Sequence, residues 1–181
     1  MNNLKTNPVG RDVVIHRIQT LLYDRLSGNG GSLWNGVQLD GYPRCYPLEV
    51  NDGNKGINFF SADKEYQNLI HAEKNKFFFT AEDPQERTSG DYFNTEIELF
   101  FILNLKQVKP DVEHLADEEV IADVYSVVSQ VPGINIQRVI TDQEEVFAGY
   151  DYQITDDMHP YKCFKMEIDV FDYQLDDVLT C

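Results

Sequence analysis

YFNTEIELFFILNLKQV, residues 92–108, is the longest apolar-rich run of the chain. Apolar side chains recur at every second position, Phe93, Ile97, Leu99, Phe101, Leu103 and Leu105, with Thr95 as the one break. Successive side chains of a strand point to opposite faces, so this spacing predicts a strand with one wholly apolar face. The other parity reads Tyr92, Asn94, Glu96, Glu98, Phe100, Ile102, Asn104. That second face begins polar and turns apolar, which predicts a long central strand covered on both sides only along its far half.

The neighbouring segments supply the cover. KFFFT, residues 76–80, reads as a strand, and the polar connection 81–91 with its proline and glycine leads back into the central strand as a β-hairpin with a projecting loop. Residues 109–111, Lys-Pro-Asp, are expected to end the central strand. Residues 12–26 have helical spacing, with Val14, Ile18, Leu21, Leu22 and Arg25 on one side and Ile15 and Leu26 flanking. Asp12 suits the positive end of that helix and Arg25 the negative end. A second helix is expected within 115–131, where Val120, Ile121, Val124, Val127, Val128 and Val131 recur at three and four, after the acidic turn Asp117, Glu118, Glu119 and before the stop Pro132-Gly133. So many valines disfavour an isolated helix, so packing on a sheet must stabilise it. Residues 134–140 and 146–154 are strand candidates, and 161–173 is a clear strand with Phe164, Met166, Ile168 and Val170 opposite Lys165, Glu167 and Asp169. Residues 33–60 are crowded with turn formers and hold short candidate strands at 37–39, 45–50 and 56–60; residues 61–71 fit a short helix capped by Ser61.

Strands and helices do not alternate as a parallel α/β fold requires. The fold class expected is α+β: an antiparallel sheet with a long central hairpin and two helices packed on it. The chain divides into a polar N-terminal arm, 1–10, a single α+β domain, 11–175, and an acidic C-terminal tail, 176–181.

The formal net charge is -16, from 15 basic and 31 acidic residues. Phosphate-backbone binding needs clustered Lys and Arg, so nucleic-acid adhesion is disfavoured. The charge fits either solubility or a surface that must not stick to DNA, or must imitate it. Cys45, Cys163 and Cys181 are far apart and without metal spacing, which fits free thiols in a reducing compartment. Residues 1–12 have no apolar core and are not expected to act as a signal peptide, and no apolar run in the sequence is long enough for a bilayer.

Catalytic motifs are absent: no HExxH, P-loop, GxGxxG or GxSxG, and His16, His71, His114 and His159 are not paired at helical spacing. His159 with Asp156 and Asp157 has a metal-like flavour, but the adjacent proline favours a turn. Asp52 and Asn54 lack the rest of a calcium loop and read better as an Asx-type turn. No catalytic residue, cofactor or metal is expected. The acids Asp142, Glu144, Glu145, Asp151, Asp156 and Asp157 form a dense set, read as an acidic rim or lumen. Trp34, in a Gly-rich segment, either anchors its loop or contacts a partner, and Glu82, Asp83, Gln85, Glu86 and Arg87 of the projecting loop are candidate interface residues.

Helix 12–26, the hairpin 77–105, the helix 117–131 with its Pro-Gly stop and the strand 162–171 follow one another in an order that resembles the tail terminator or tail completion proteins of tailed bacteriophages. The resemblance spans most of the chain as an order of elements. It implies a structural virion protein, not an enzyme: copies of the chain in a ring, commonly sixfold, at the head-facing end of the tail tube, touching tail-tube and neck or connector proteins. DNA would pass through an acidic lumen as non-adhering cargo, and assembly would take place in the host cytoplasm without a membrane. The alternatives are an acidic DNA-mimic inhibitor of a nucleic-acid enzyme, and a small-ligand or metal-binding enzyme domain built around His159.

Overall fold

The computed structural model describes residues 1–27, 30–51, 54–60, 66–69, 74–81, 86–112, 115–150 and 160–175. Its elements in chain order are helix α1 (Arg11–Ser27), strands β1 (Asp40–Arg44), β2 (Tyr46–Asn51), β3 (Asn54–Phe60), β4 (Tyr66–Asn68), β5 (Lys76–Ala81), β6 (Glu86–Ser89) and β7 (Tyr92–Asn104), the single helical turn α2 (Leu105–Val108), helix α3 (Asp117–Val128), strand β8 (Ile134–Ile140), the short helix α4 (Gln143–Val146) and strand β9 (Tyr161–Gln174). The class is α+β, with helices packed on a mostly antiparallel sheet.

The 13-residue β7 is the centre of the main sheet, whose strand order is β1-β5-β7-β9-β8. β9 runs antiparallel along the whole of β7, from Tyr92 opposite Gln174 to Asn104 opposite Tyr161. The other flank of β7 is shared. β5 pairs from Ile97 to Ile102, and β6 continues the same line at Asn94 to Tyr92. The projecting loop expected between the hairpin strands therefore folds back in part as β6. β1 adds to β5 in parallel, so the sheet is mixed and not antiparallel throughout. Pro43 fits this position, since a residue without an N–H belongs on an edge strand.

The apolar parity of β7 does what its spacing requires. Ile97, Leu99, Phe101 and Leu103 share one core with Phe77 and Phe79 of β5, Phe164, Met166, Ile168 and Val170 of β9, and the buried faces of α1 and α3. Phe101 stacks between Phe77, at 5.5 Å, and Phe164, at 4.9 Å. The buried stripe of α1 is Ile15, Ile18, Leu22 and Leu26 with Val14. It is turned from the expected side, and Arg25 is exposed at the helix end. α3 buries Val120, Val124, Val127 and Val128, as its spacing requires.

Several segments correct the sequence-based expectations. β7 ends at Asn104 and Leu105–Val108 turns helical, because β9 begins just after Pro160 and the ladder has no further partner; the Leu105 N–H donates instead to the Pro160 carbonyl at 2.8 Å. Tyr66–Asn68, placed in an expected helix, pairs with β3 in a separate antiparallel sheet β2-β3-β4. Val146 closes a helix where a strand was expected, because the Asp142 carboxylate caps α4 by accepting from the Glu145 N–H at 3.1 Å. The polar N-terminal arm is docked on the domain. Asn2 bridges Gly41 in parallel, the Asn3 N–H donates to the Gly41 carbonyl at 2.8 Å, and the buried Gln19 amide donates to Asn2 and Asn3. A methyl group at Gly41 would lie 2.6 Å from the Phe77 ring, so this close approach demands glycine.

Candidate functional site

The second face of the sheet is where charge and architecture meet. Its far half is sealed: Phe78, Phe100, Ile102, Cys163 and Ile140 pack with Val146 of α4 and Phe147 just after it, with Leu69 and with Cys45. The near half carries no helix among the described residues. There the outward parities of β7 and β9 place Glu98 opposite Glu167 and Glu96 opposite Asp169. Like charges directly opposite on neighbouring strands destabilise a sheet, so these rows need cations between them.

Lys165 and Arg138 supply those cations. Lys165, mostly buried, sits 2.5 Å from Glu98 and 3.7 Å from Glu167, with its ammonium 5.7 Å from the Phe100 ring centroid. The Thr80 hydroxyl donates to the other oxygen of Glu98 at 2.9 Å. Arg138 of β8 donates through Nε and Nη2 to both oxygens of Glu167, at 2.5 and 2.9 Å, and through Nη1 to Glu145 of α4 at 3.1 Å. The bond from Arg138 holds the Glu167 carboxyl below its ordinary pKa against the opposing effect of partial burial, and the charges of Arg138 and Lys165 add to it. Asp169 accepts from the Gln137 amide. The result is a cross-strand lattice from β5 to α4 in which five carboxylates, Glu96, Glu98, Glu145, Glu167 and Asp169, face two cations. Its net charge is negative and its members hold one another in place.

Of the expected acidic rim, Asp142 and Glu144 are exposed on α4, with Asp142 spent as its cap, and Glu145 joins the lattice through Arg138. Asp151, Asp156, Asp157 and His159 lie outside the described residues, as do Glu82, Asp83 and Gln85 of the expected interface. Glu86 and Arg87 are exposed on β6. Trp34 is corrected as an interface residue: it is 1% exposed, and its indole N–H donates to Asp123 of α3 at 2.8 Å. Asp123 also binds Lys109 at 2.6 Å, so Trp34 anchors the chain after α1 to α3. Glu96, Glu98, Lys165 and Arg138 were not singled out from the sequence as a site. Their parity was visible, but only the register of three strands brings them together.

A hollow of about 220 Å³ lies between the end of α1 and α3, lined by Arg25, Gly31, Leu33, Ser126, Val127 and Gln130. Among the described residues no group of three or more His, Cys, Asp or Glu is placed to hold a metal ion, and no helix is long and apolar enough to cross a membrane. Comparison with protein-family models and with curated proteins returns no match for this chain.

Proposed function

We propose that the chain is a structural subunit of a tailed-phage neck or tail, a ring-forming tail terminator or tail completion protein that works by shape and charge. The observation that carries this reading is the two-layer domain itself. Its long helices cover one sheet face, and half of the opposite face carries a self-held lattice with excess carboxylate, in which Glu96 and Glu145 are exposed above the largely covered Glu98, Glu167 and Lys165. A lattice of this kind is rigid and repels the phosphate backbone, which suits a surface along which DNA must slide. The net charge of -16 extends the same effect to the whole subunit. The order of helix, hairpin, helix and terminal strand supports the same family.

Light scattering and negative-stain imaging of the purified protein test the reading. The expected result is a closed ring, sixfold by the resemblance, with no retardation of duplex DNA. A strict monomer at every concentration, absent from virions of the phage that encodes it, overturns it.

The directly opposed pairs Glu96–Asp169 and Glu98–Glu167 also favour a second reading, an acidic protein that imitates DNA and occupies a basic nucleic-acid enzyme. Tight, salt-sensitive inhibition of such an enzyme by the monomer would select this reading over the first.

A further inference from the structure

The main sheet ends at β8 on one side and at β1 on the other, with β6 beside β5 on the same flank of β7; the outer edges of β8 and of β6 pair with nothing among the described residues. β5 is covered by β1, and β1 in turn by Asn2 at Gly41. We propose that subunits join by adding β6 of one copy to β8 of the next, antiparallel, so that the sheet continues around the ring. This rests on the ring reading and names the surface that builds it.

Strand direction carries the first part of the argument. β8 and β7 both run against β9, so β8 runs with β7, while β6 runs against β7. Copies repeated around an axis keep one orientation. β6 of the neighbour then arrives antiparallel to β8 without any inversion, and the contact is heterologous, as closure into a ring requires.

The edges fit locally. The Phe171 N–H donates to the Gly133 carbonyl at 2.9 Å, so Gly133 faces β9, and alternation turns the backbone N–H and C=O of Ile134 and Ile136 outward. The bulge between Ile136 and Arg138 ends this flat run. It therefore limits any added ladder to a few residues, comparable with the four of β6, and this discourages open-ended edge pairing. Charge selects the partner. Pairing β8 with a second β8 sets Arg138 near its own copy, whereas β6 brings Glu86, which shares a face with Asn94, to the side of the sheet that carries Asn135 and Arg138. On the helix side Ile134, Ile136 and Val139 are half-buried, and Arg87, on the face of Phe93, can lay its methylenes over them. A ladder this short sets direction and register; stable interfaces bury about 1,000 Å² or more, so assembly should depend on concentration.

The test is cross-linking of the full chain carrying Glu86→Cys and Asn135→Cys, with Cys181→Ser, by a short bismaleimide whose reach tolerates a shift of register. Cys45 and Cys163 are buried, so they should stay silent. The expected product is a covalent ladder ending at the ring, with peptides containing positions 86 and 135 joined, while each single variant stops at a dimer. In parallel, Glu86→Lys at about 150 mM salt should weaken association about tenfold, by placing like charges together, with the melting midpoint unchanged. Rings without an 86–135 link, or with association unaffected by Glu86→Lys, overturn the edge pairing and leave the ring reading standing. A wild-type chain that stays monomeric, together with a double-cysteine variant that does not cross-link, overturns both.

Discussion

Asp12 is 5% exposed and would be an expensive charge to bury alone. Arg44 donates to both of its oxygens, at 2.8 and 3.1 Å, and Lys5 adds a further bond. Burial pushes its pKa up, but the bonds and charges of Arg44 and Lys5 outweigh burial and hold it below the ordinary value. A depressed folded-state pKa means stability that is complete above the unfolded value of about 3.9 and is lost as pH falls through the folded value. The urea midpoint should therefore drop below about pH 4, and Asp12→Asn should flatten that drop in the same titration. At neutral pH Asp12→Asn leaves Arg44 and Lys5 without their carboxylate, and should cost about 3 kcal/mol in a urea melt. Trp34 offers a second test. Trp34→Phe keeps a ring in the core but strips Asp123 of a charge-assisted bond, and should cost about 1.5–3 kcal/mol by the same measurement.

Elements differ in how openly the sequence declares them. β7 and β9 were legible because both faces carry a period of two over more than ten residues, and α3 because its valines keep helical spacing up to Pro132-Gly133. Gly133 has φ +77, a conformation that suits glycine after a helix. Gly133→Ala should cost about 1 kcal/mol from backbone strain alone, since the added methyl meets nothing closer than 3.7 Å. A thermal melt of the variant reads it. Phe101→Ala removes a ring stacked on both sides and should cost about 3–5 kcal/mol. The illegible elements owe their form to partners distant in sequence. β1 holds only five residues, with a glycine and a proline, and is a strand because β5 and the N-terminal residues flank it. Tyr66–Asn68 is a strand because β3 offers an edge. The turn of α4 could have been read, since Asp142 followed three residues later by Glu145 is a helix-start pattern. The charged lattice could not: each of its carboxylates looks like an ordinary outward residue until β7, β8 and β9 fall into register.

At the scale of the whole molecule, the surplus of acid works against the ring proposed above. Each subunit carries -16, so neighbours repel over distances set by screening. The Debye length falls from about 30 Å at about 10 mM salt to about 8 Å at about 150 mM. Long-range repulsion between subunits should then fade, while contacts at a shared edge persist. If the chain forms the proposed ring, that ring should therefore assemble more readily as salt rises through this range, the reverse of a complex held by attraction between oppositely charged surfaces. Self-repulsion within one subunit falls in the same way. If it is worth about 1 kcal/mol, the melting midpoint of the monomer at low protein concentration should rise by about 2–4 °C. Duplex DNA should stay unbound at both ends of the series, because salt weakens phosphate binding and nothing at low salt favours it. Light scattering across the salt series, with a gel shift alongside, measures all of this. Assembly that weakens on adding salt would mean that attraction between unlike patches holds the subunits together, and that the acid is there to grip a basic partner.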